Sequence, residues 1–129
     1  MPSSGERGLR ERSADLYSLL QISYTHLMSN AQGASRTRGV FAISVAAQMV
    51  SMQVQNLRVY ERRGLVDPDR TPGGSRLYSP EDIERLHRIR ELLAEGLNLA
   101  GIARVLALED RVRALEGRLA ALEADRAGR

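Results

Sequence analysis

The chain has no cysteine, which excludes disulfides, thiolate metal ligands and thiol redox sensing. It also has no tryptophan and a single phenylalanine, so a hydrophobic core must be built from Leu, Val, Ile, Ala and Met. That composition favours helices over a β-sandwich or barrel. The two imidazoles, His26 and His87, have no neighbours spaced like metal ligands. We therefore expect no metal and no other cofactor.

Long apolar runs and lysine are missing as well. A membrane-spanning helix needs roughly 20 apolar residues, and no run in the sequence approaches that length. The chain also does not open with a basic and then apolar signal segment, so we expect a cytoplasmic protein without a membrane partner. All nineteen basic residues are Arg, the residue better suited to phosphates and guanine edges.

The 129 residues suffice for one domain, or one small domain with an appendage. Residues 1–40 are predicted to be a flexible N-terminal extension, although residues 13–29 could form a short helix. Residues 30–39 have the composition of a linker. The ordered domain is predicted to cover residues 41–110.

Two short helices joined by a tight turn are predicted at the start of this domain. Ser44 is a suitable N-cap for the first helix, and Gly64 a suitable residue to end the second. The second helix is rich in Gln, Asn and Arg. This order is the sequence form of a helix-turn-helix.

A basic hairpin and two further helices are predicted next. Short strands at residues 65–66 and 77–78 flank a turn at residues 72–74, which forms a wing. Ser79 then caps a helix that ends at Gly96, and Asn98 caps the last helix.

The last helix carries a heptad pattern over residues 105–125, which indicates a dimerisation coil. Charges beside the seam would attract in a parallel pair and repel in an antiparallel pair, although exposed pairs contribute only roughly 0.2–1 kcal/mol each. The predicted dimerisation residues are Val105, Leu108, Val112, Leu115, Leu119 and Leu122.

The second helix and the hairpin together predict a surface for duplex DNA. The second helix of a helix-turn-helix enters the major groove, where Gln and Asn read adenine, Val touches a thymine methyl, and Arg and Tyr bind phosphates. Two plainer alternatives remain: Arg58 could pair with Glu61, and Tyr60 could belong to the core. The candidate DNA-binding residues are Gln53, Gln55, Asn56, Arg58, Val59, Tyr60, Arg62 and Arg63 on the helix and Arg70, Arg76 and Tyr78 on the hairpin.

The stretches "ISVAAQ", "LRVYERRGL", "PDRT", "RLYS" and "EGLNLAGI" resemble the MerR family of bacterial transcription regulators over about residues 41–110, and most of all its heat-shock repressor branch, HspR. The resemblance implies a mainly α fold, a winged helix-turn-helix followed by an antiparallel dimerisation coil, and binding to pseudo-palindromic operators. It also implies DNA contacts from Arg58 and Tyr60 on the helix and from Arg76 and Tyr78 on the wing. Ser51 departs from the family pattern, because this turn position usually holds glycine.

These observations predict a sequence-specific DNA-binding transcriptional regulator, a dimeric repressor that occupies its operator, with stress or chaperone genes as targets. RNA polymerase or a chaperone is a further partner that the resemblance implies. The alternative is an adaptor of the chaperone-modulator type, which uses a MerR-like fold to bind protein. An enzyme is not expected, because no nucleophile–base pair, carboxylate dyad or phosphate loop is evident.

Overall fold

The computed structural model describes residues 34–129, and the helix predicted at residues 13–29 lies outside them. A 3-10 turn, Ala34–Thr37, precedes three strands and four α-helices. In chain order these are β1 (Phe41–Ala42), α1 (Ile43–Met49), α2 (Val54–Arg62), β2 (Asp69–Arg70), β3 (Arg76–Tyr78), α3 (Pro80–Ala94) and α4 (Leu99–Ala127). The chain divides into two compact units between His87 and Arg88, inside α3. The predicted mainly α fold, with a helix-turn-helix, a wing and a long final helix, is confirmed.

Helices α1 and α2 form the predicted helix-turn-helix and pack against each other. Ala46 and Ala47 are buried, and their small side chains let the helices approach. In the turn Ser51 has a φ of 54°, the left-handed conformation that explains why glycine suits this position. The prediction that Ser44 is the N-cap of α1 is wrong: Ala42 holds that position, and the helix begins at Ile43 because β1 runs directly into it.

Helix α2 ends where the sequence predicts. Gly64 has a φ of 72° and its N–H donates to the carbonyl of Glu61 at 2.9 Å, while the N–H of Leu65 donates to the carbonyl of Tyr60 at 2.9 Å. These two bonds form a Schellman motif. The motif still engages Leu65, and both Leu65 and Val66 are buried, so the chain reaches the sheet only at Asp69. The strand predicted at residues 65–66 is therefore wrong.

The sheet has the strand order β1-β3-β2, and both pairings are antiparallel. β3 is thus central, with Tyr78 opposite Phe41 and Arg76 opposite Arg70. Strand β1 was not predicted, since a strand of only two residues gives no sequence signal.

The residues just before β1 are attached to the sheet. The N–H of Val40 donates to the carbonyl of Tyr78 at 3.0 Å, and the N–H of Gly39 donates to Oδ2 of Asp69 at 2.8 Å. Arg36 forms an ion pair with Glu84. A Cβ at position 39 would lie 2.4 Å from a carbonyl oxygen of β3, so only glycine fits. The prediction that the flexible extension reaches residue 40 is therefore wrong for its last five residues.

The capping predictions for α3 and α4 are confirmed. Ser79 Oγ accepts from the N–H of Asp82 at 3.0 Å and Asp82 Oδ2 accepts from the N–H of Ser79 at 2.9 Å, a capping box. Gly96, with a φ of 90°, follows α3, and Asn98 Oδ1 accepts from the N–H of Gly101 at 2.8 Å.

In the second unit, buried apolar side chains occur only as far as Leu106 among the residues the structure describes, after Ile89, Leu92 and Ile102. Arg88 binds Glu109 and Glu91 of the same unit, each at 2.8 Å. The apolar positions of α4 beyond Leu106 are more than half exposed: Leu108, Val112, Leu115, Leu119 and Leu122. These five form the α4 seam, whose partner stays a prediction. None of the helices in residues 34–129 is long and apolar enough to cross a membrane.

Candidate nucleic-acid interface

Helix α2 has one buried face and one polar, exposed face. Leu57 and Tyr60 are buried, and this spacing of three residues puts both side chains on the inner face. The N-cap side chain of Gln53 makes no capping hydrogen bond, so its amide is left for other contacts. The exposed polar residues are Gln53, Gln55, Asn56, Arg58, Arg62 and Arg63, whereas Val59 is half-buried. The amino-terminal part of α2 thus presents the side-chain types that read base edges.

Three arginines of α2, counting its C-cap Arg63, are exposed cations. Arg58, Arg62 and Arg63 form no ion pair with any residue between 34 and 129. Arg58 and Arg62 are four residues apart and share a face of the helix. The alternative that Arg58 pairs with Glu61 is wrong, because Glu61 is engaged elsewhere.

The two arginines of the wing both bind Glu61. Arg70 Nη2 lies 2.5 Å from Oε1 of Glu61, and Arg76 Nε donates to Oε2 of the same carboxylate. Arg70 Nη1 also donates to the carbonyl of Gly74 at 3.0 Å, which ties it to the hairpin turn. We call Glu61, Arg70 and Arg76 the Glu61 bridge; its net charge is +1. The predicted cationic surface is therefore partly neutralised on the wing.

The Glu61 carboxylate is ionised at neutral pH. Burial raises the pKa of Glu61, but hydrogen bonding and the positive charge of Arg76, followed by those of Arg70, outweigh burial and leave this pKa below its ordinary value. The sequence analysis gave Glu61 no role beyond a pairing with Arg58. The sequence does show Glu61 as a single acidic residue among several arginines, but only the fold shows which arginines it binds.

The structure corrects the placement of two tyrosines predicted to reach phosphates. Tyr78 is completely buried, and its hydroxyl has no hydrogen-bond partner in the described part of the chain. Burial, followed by the negative charge of Glu61, raises the pKa of Tyr78 to about 12. Tyr60 is only 5% exposed, and burial raises its pKa also. Both rings belong to the core, the alternative already open for Tyr60.

The reason for the burial of Tyr78 lies in the alternation of β3. Arg76 and Tyr78 are two residues apart, so their side chains leave the strand on the same face. Arg76 reaches Glu61 of α2, which shows that this face is turned toward the helix. Tyr78 consequently enters the core, opposite Phe41 of β1.

Comparisons with known proteins identify the family of residues 41–109. The model of the MerR HTH family regulatory protein matches residues 41–109. A Streptomyces coelicolor protein assigned as the heat shock protein HspR is 53% identical over 74 residues, which cover 57% of this chain and 49% of the relative. The HTH-type transcriptional regulator GlnR of Bacillus anthracis is 37% identical over 75 residues, which cover 58% of each protein. The chain spans about half the length of these curated relatives.

Two solved structures share the fold. One is HiNmlR, a MerR family regulator lacking the sensor domain, bound to promoter DNA; its TM-score is 0.50 at 22% identity, over 67% of this chain and 73% of that one. The other is a MerR family transcriptional regulator from Bacillus cereus, with a TM-score of 0.50 at 28% identity over 67% and 69% of the two chains. Since the family model covers more than half of its residues, this chain belongs to the MerR HTH family of regulatory proteins.

Proposed function

We propose that this chain is a sequence-specific DNA-binding transcriptional regulator that binds a pseudo-palindromic operator as a homodimer. The observation that carries the proposal is the exposed face of α2, where three arginines without ion pairs in residues 34–129 follow exposed Gln and Asn side chains. Similar proteins that are named as transcriptional regulators support it.

The binding mode follows from the two elements of the interface. Helix α2 enters the major groove with Gln55 and Asn56 at base edges, and Arg58, Arg62 and Arg63 meet the phosphates or bases beside them. The wing lies along the adjacent backbone, where the Glu61 bridge supplies a net charge of +1. Phosphate contacts fix the register, and base contacts provide the sequence preference.

Dimerisation is assigned to residues 105–125. An exposed apolar seam of five residues on one helix needs a partner surface, and a second copy of the same helix supplies a matching one. A two-fold dimer presents two α2 helices, which matches the two half-sites of a pseudo-palindrome.

The regulatory outcome we propose is repression by operator occupancy, which requires no chemistry on the DNA. Stress or chaperone genes are the proposed targets because of the likeness to the HspR relative. Such a regulator acts beside the chromosome, in the cytoplasm. Direct contact with RNA polymerase or a chaperone rests on the family resemblance alone.

One observation favours the adaptor alternative. Glu61 neutralises part of the wing, and a protein-binding relative of this fold would have a less cationic wing than a DNA-binding one. The three arginines of α2 weigh more heavily, because they create an uncompensated positive charge that a protein-binding surface does not require.

The test is selection of bound fragments from random duplex DNA, followed by affinity measurements on the enriched sequence. If Arg58 reads a base, Arg58→Ala weakens operator binding by about 1–3 kcal/mol and relaxes the preference at one position. The matched control is Arg126→Ala, which removes the same charge near the end of α4. Failure of the wild-type protein to enrich any sequence would contradict the proposed function and favour the adaptor.

A further inference from the structure

A single carboxylate joins α2 to both strands of the wing. Glu61 lies next to the last residue of α2, and its side chain is 17% exposed. Each of its oxygens accepts from a different strand, Oε1 from Arg70 of β2 and Oε2 from Arg76 of β3. One acidic side chain therefore links both strands of the hairpin directly to α2.

Both arginines retain donors beyond those that Glu61 uses. A guanidinium group has five N–H donors in a fixed plane. Arg76 gives Glu61 its Nε, and its two terminal nitrogens are left for another acceptor. The side chains of Arg76 and Arg70 are 24% and 47% exposed, so both can be reached from solvent. Glu61 thus holds each guanidinium through one hydrogen bond without consuming all of its donors.

The carboxylate also has an electrostatic cost for DNA binding. Binding to any duplex depends on the number of phosphates that the protein neutralises, and one negative charge among the arginines reduces that number. A fixed wing helps a complex only where helix and backbone contacts must fit at the same time, as they do on an operator. Glu61 is therefore unfavourable for non-operator DNA and favourable for the operator.

We infer that Glu61 is a positioning residue that couples the wing to α2 and increases discrimination between operator and non-operator DNA at the expense of non-specific affinity. This inference rests on the proposed function. The residue that controls specificity is then an acidic one, which is not among the predicted DNA-binding residues.

Two variants separate the position of the carboxylate from its charge. Glu61→Asp keeps the charge, but its shorter side chain cannot reach both strands. Glu61→Gln keeps the length, removes the charge and leaves one oxygen for two arginines. Glu95→Gln is the matched control, because Glu95 is exposed and lies just beyond α3. Each protein is measured on the selected operator and on an unrelated duplex over a range of salt concentrations.

We expect Glu61→Asp to lower the ratio of operator to non-operator affinity by roughly 5-fold or more, as for two coupled sites, with an unchanged salt slope. Glu61→Gln lowers the ratio too, and it steepens the salt dependence of non-operator binding by up to about 0.9 in log–log slope. Glu95→Gln changes neither quantity. Thermal melts by circular dichroism verify that each variant is folded.

An affinity ratio for Glu61→Asp equal to that of the wild type would overturn the inference while leaving the proposed function intact. Unfolding of both variants would assign Glu61 to stability alone and overturn it also. If the wild-type protein selects no operator, the proposed function fails first, and the inference fails with it.

Discussion

Replacing Tyr78 with phenylalanine removes one buried hydroxyl oxygen and leaves the ring in place. The side chain is completely buried, and the hydroxyl has no hydrogen-bond partner among the described residues. A buried polar group without a partner costs about 1–3 kcal/mol. We therefore expect Tyr78→Phe to raise the free energy of unfolding by about 1 kcal/mol or more, since the ring still fills the core.

The melting temperature reports this change directly. For a domain of 60–100 residues, 1 kcal/mol shifts it by roughly 4–8 °C. Wild type and variant are compared at equal protein concentration, because the stability of the proposed dimer would depend on concentration. Tyr60→Phe is the matched control, as it removes the same group from a ring buried to a similar degree, whose hydroxyl is not a buried atom without a partner.

Tyr78→Phe should also change how the free energy of unfolding depends on pH in alkaline solution. The pKa of Tyr78 is raised to about 12, mainly by burial, so the folded state holds its proton more tightly than the unfolded state, whose pKa is near 10. Ionisation of this hydroxyl leaves the free energy of unfolding unchanged below the unfolded pKa and lowers it as the pH rises toward the folded pKa. By pH 12 the loss is roughly 2 kcal/mol, and Tyr78→Phe abolishes it.

Operator binding supplies the result that would refute the reasoning. A buried hydroxyl cannot bind a phosphate, so Tyr78→Phe should bind the operator as the wild type does, with the same salt slope. A weaker affinity in a protein of unchanged stability would show that the hydroxyl reaches DNA, as the family resemblance implied. A variant less stable than the wild type would show that the hydroxyl has a partner.

Two further changes test the α4 seam and the attachment before β1. The double substitution Leu115→Asp and Leu119→Asp puts charges on the exposed seam, so we expect monomers by light scattering and loss of operator binding. The control, Ala121→Asp, lies at an outer position of the heptad and should stay dimeric. A dimer that persists in the double mutant would place the interface elsewhere. Gly39→Ala puts a Cβ 2.4 Å from a carbonyl oxygen of β3 and should destabilise the protein by about 1–3 kcal/mol, as overpacking does. Gly73→Ala, whose Cβ meets nothing nearer than 3.8 Å, is the control, and equal melting temperatures for the two variants would contradict the attachment.

The end of α2, both ends of α3 and the start of α4 could be predicted because their signals are local, whereas the start of α1 could not, since β1 runs directly into that helix. Gly64 and Gly96 end helices through positive φ angles, and Ser79 and Asn98 begin them through hydrogen bonds within three residues. Each of these contacts joins neighbours in the sequence, so the residue types alone predict them. The polar face of α2 could be predicted for the same reason, since helical spacing separates its buried residues from its exposed arginines.

The sheet and the charges on the wing could not be predicted in this way. Strand β1 exists because Phe41 meets Tyr78, and the sheet begins at Asp69 because the chain first completes the end of α2. Glu61 was predicted to have Arg58 as its candidate partner, one turn away on the same helix. It instead binds Arg70 and Arg76, nine and fifteen residues further along the chain.

The sequence alone determined the order of elements and the exposed arginines of α2, because capping residues and helical period act over a few residues, and its motifs carried the resemblance to the family. Tertiary structure decided that Tyr78 is buried, that Gly39 is attached to the wing, and that one acid holds two of the five interface arginines. These outcomes depend on pairings between segments that are distant in the sequence. Such pairings leave no periodic pattern in the sequence, so they cannot be predicted from it.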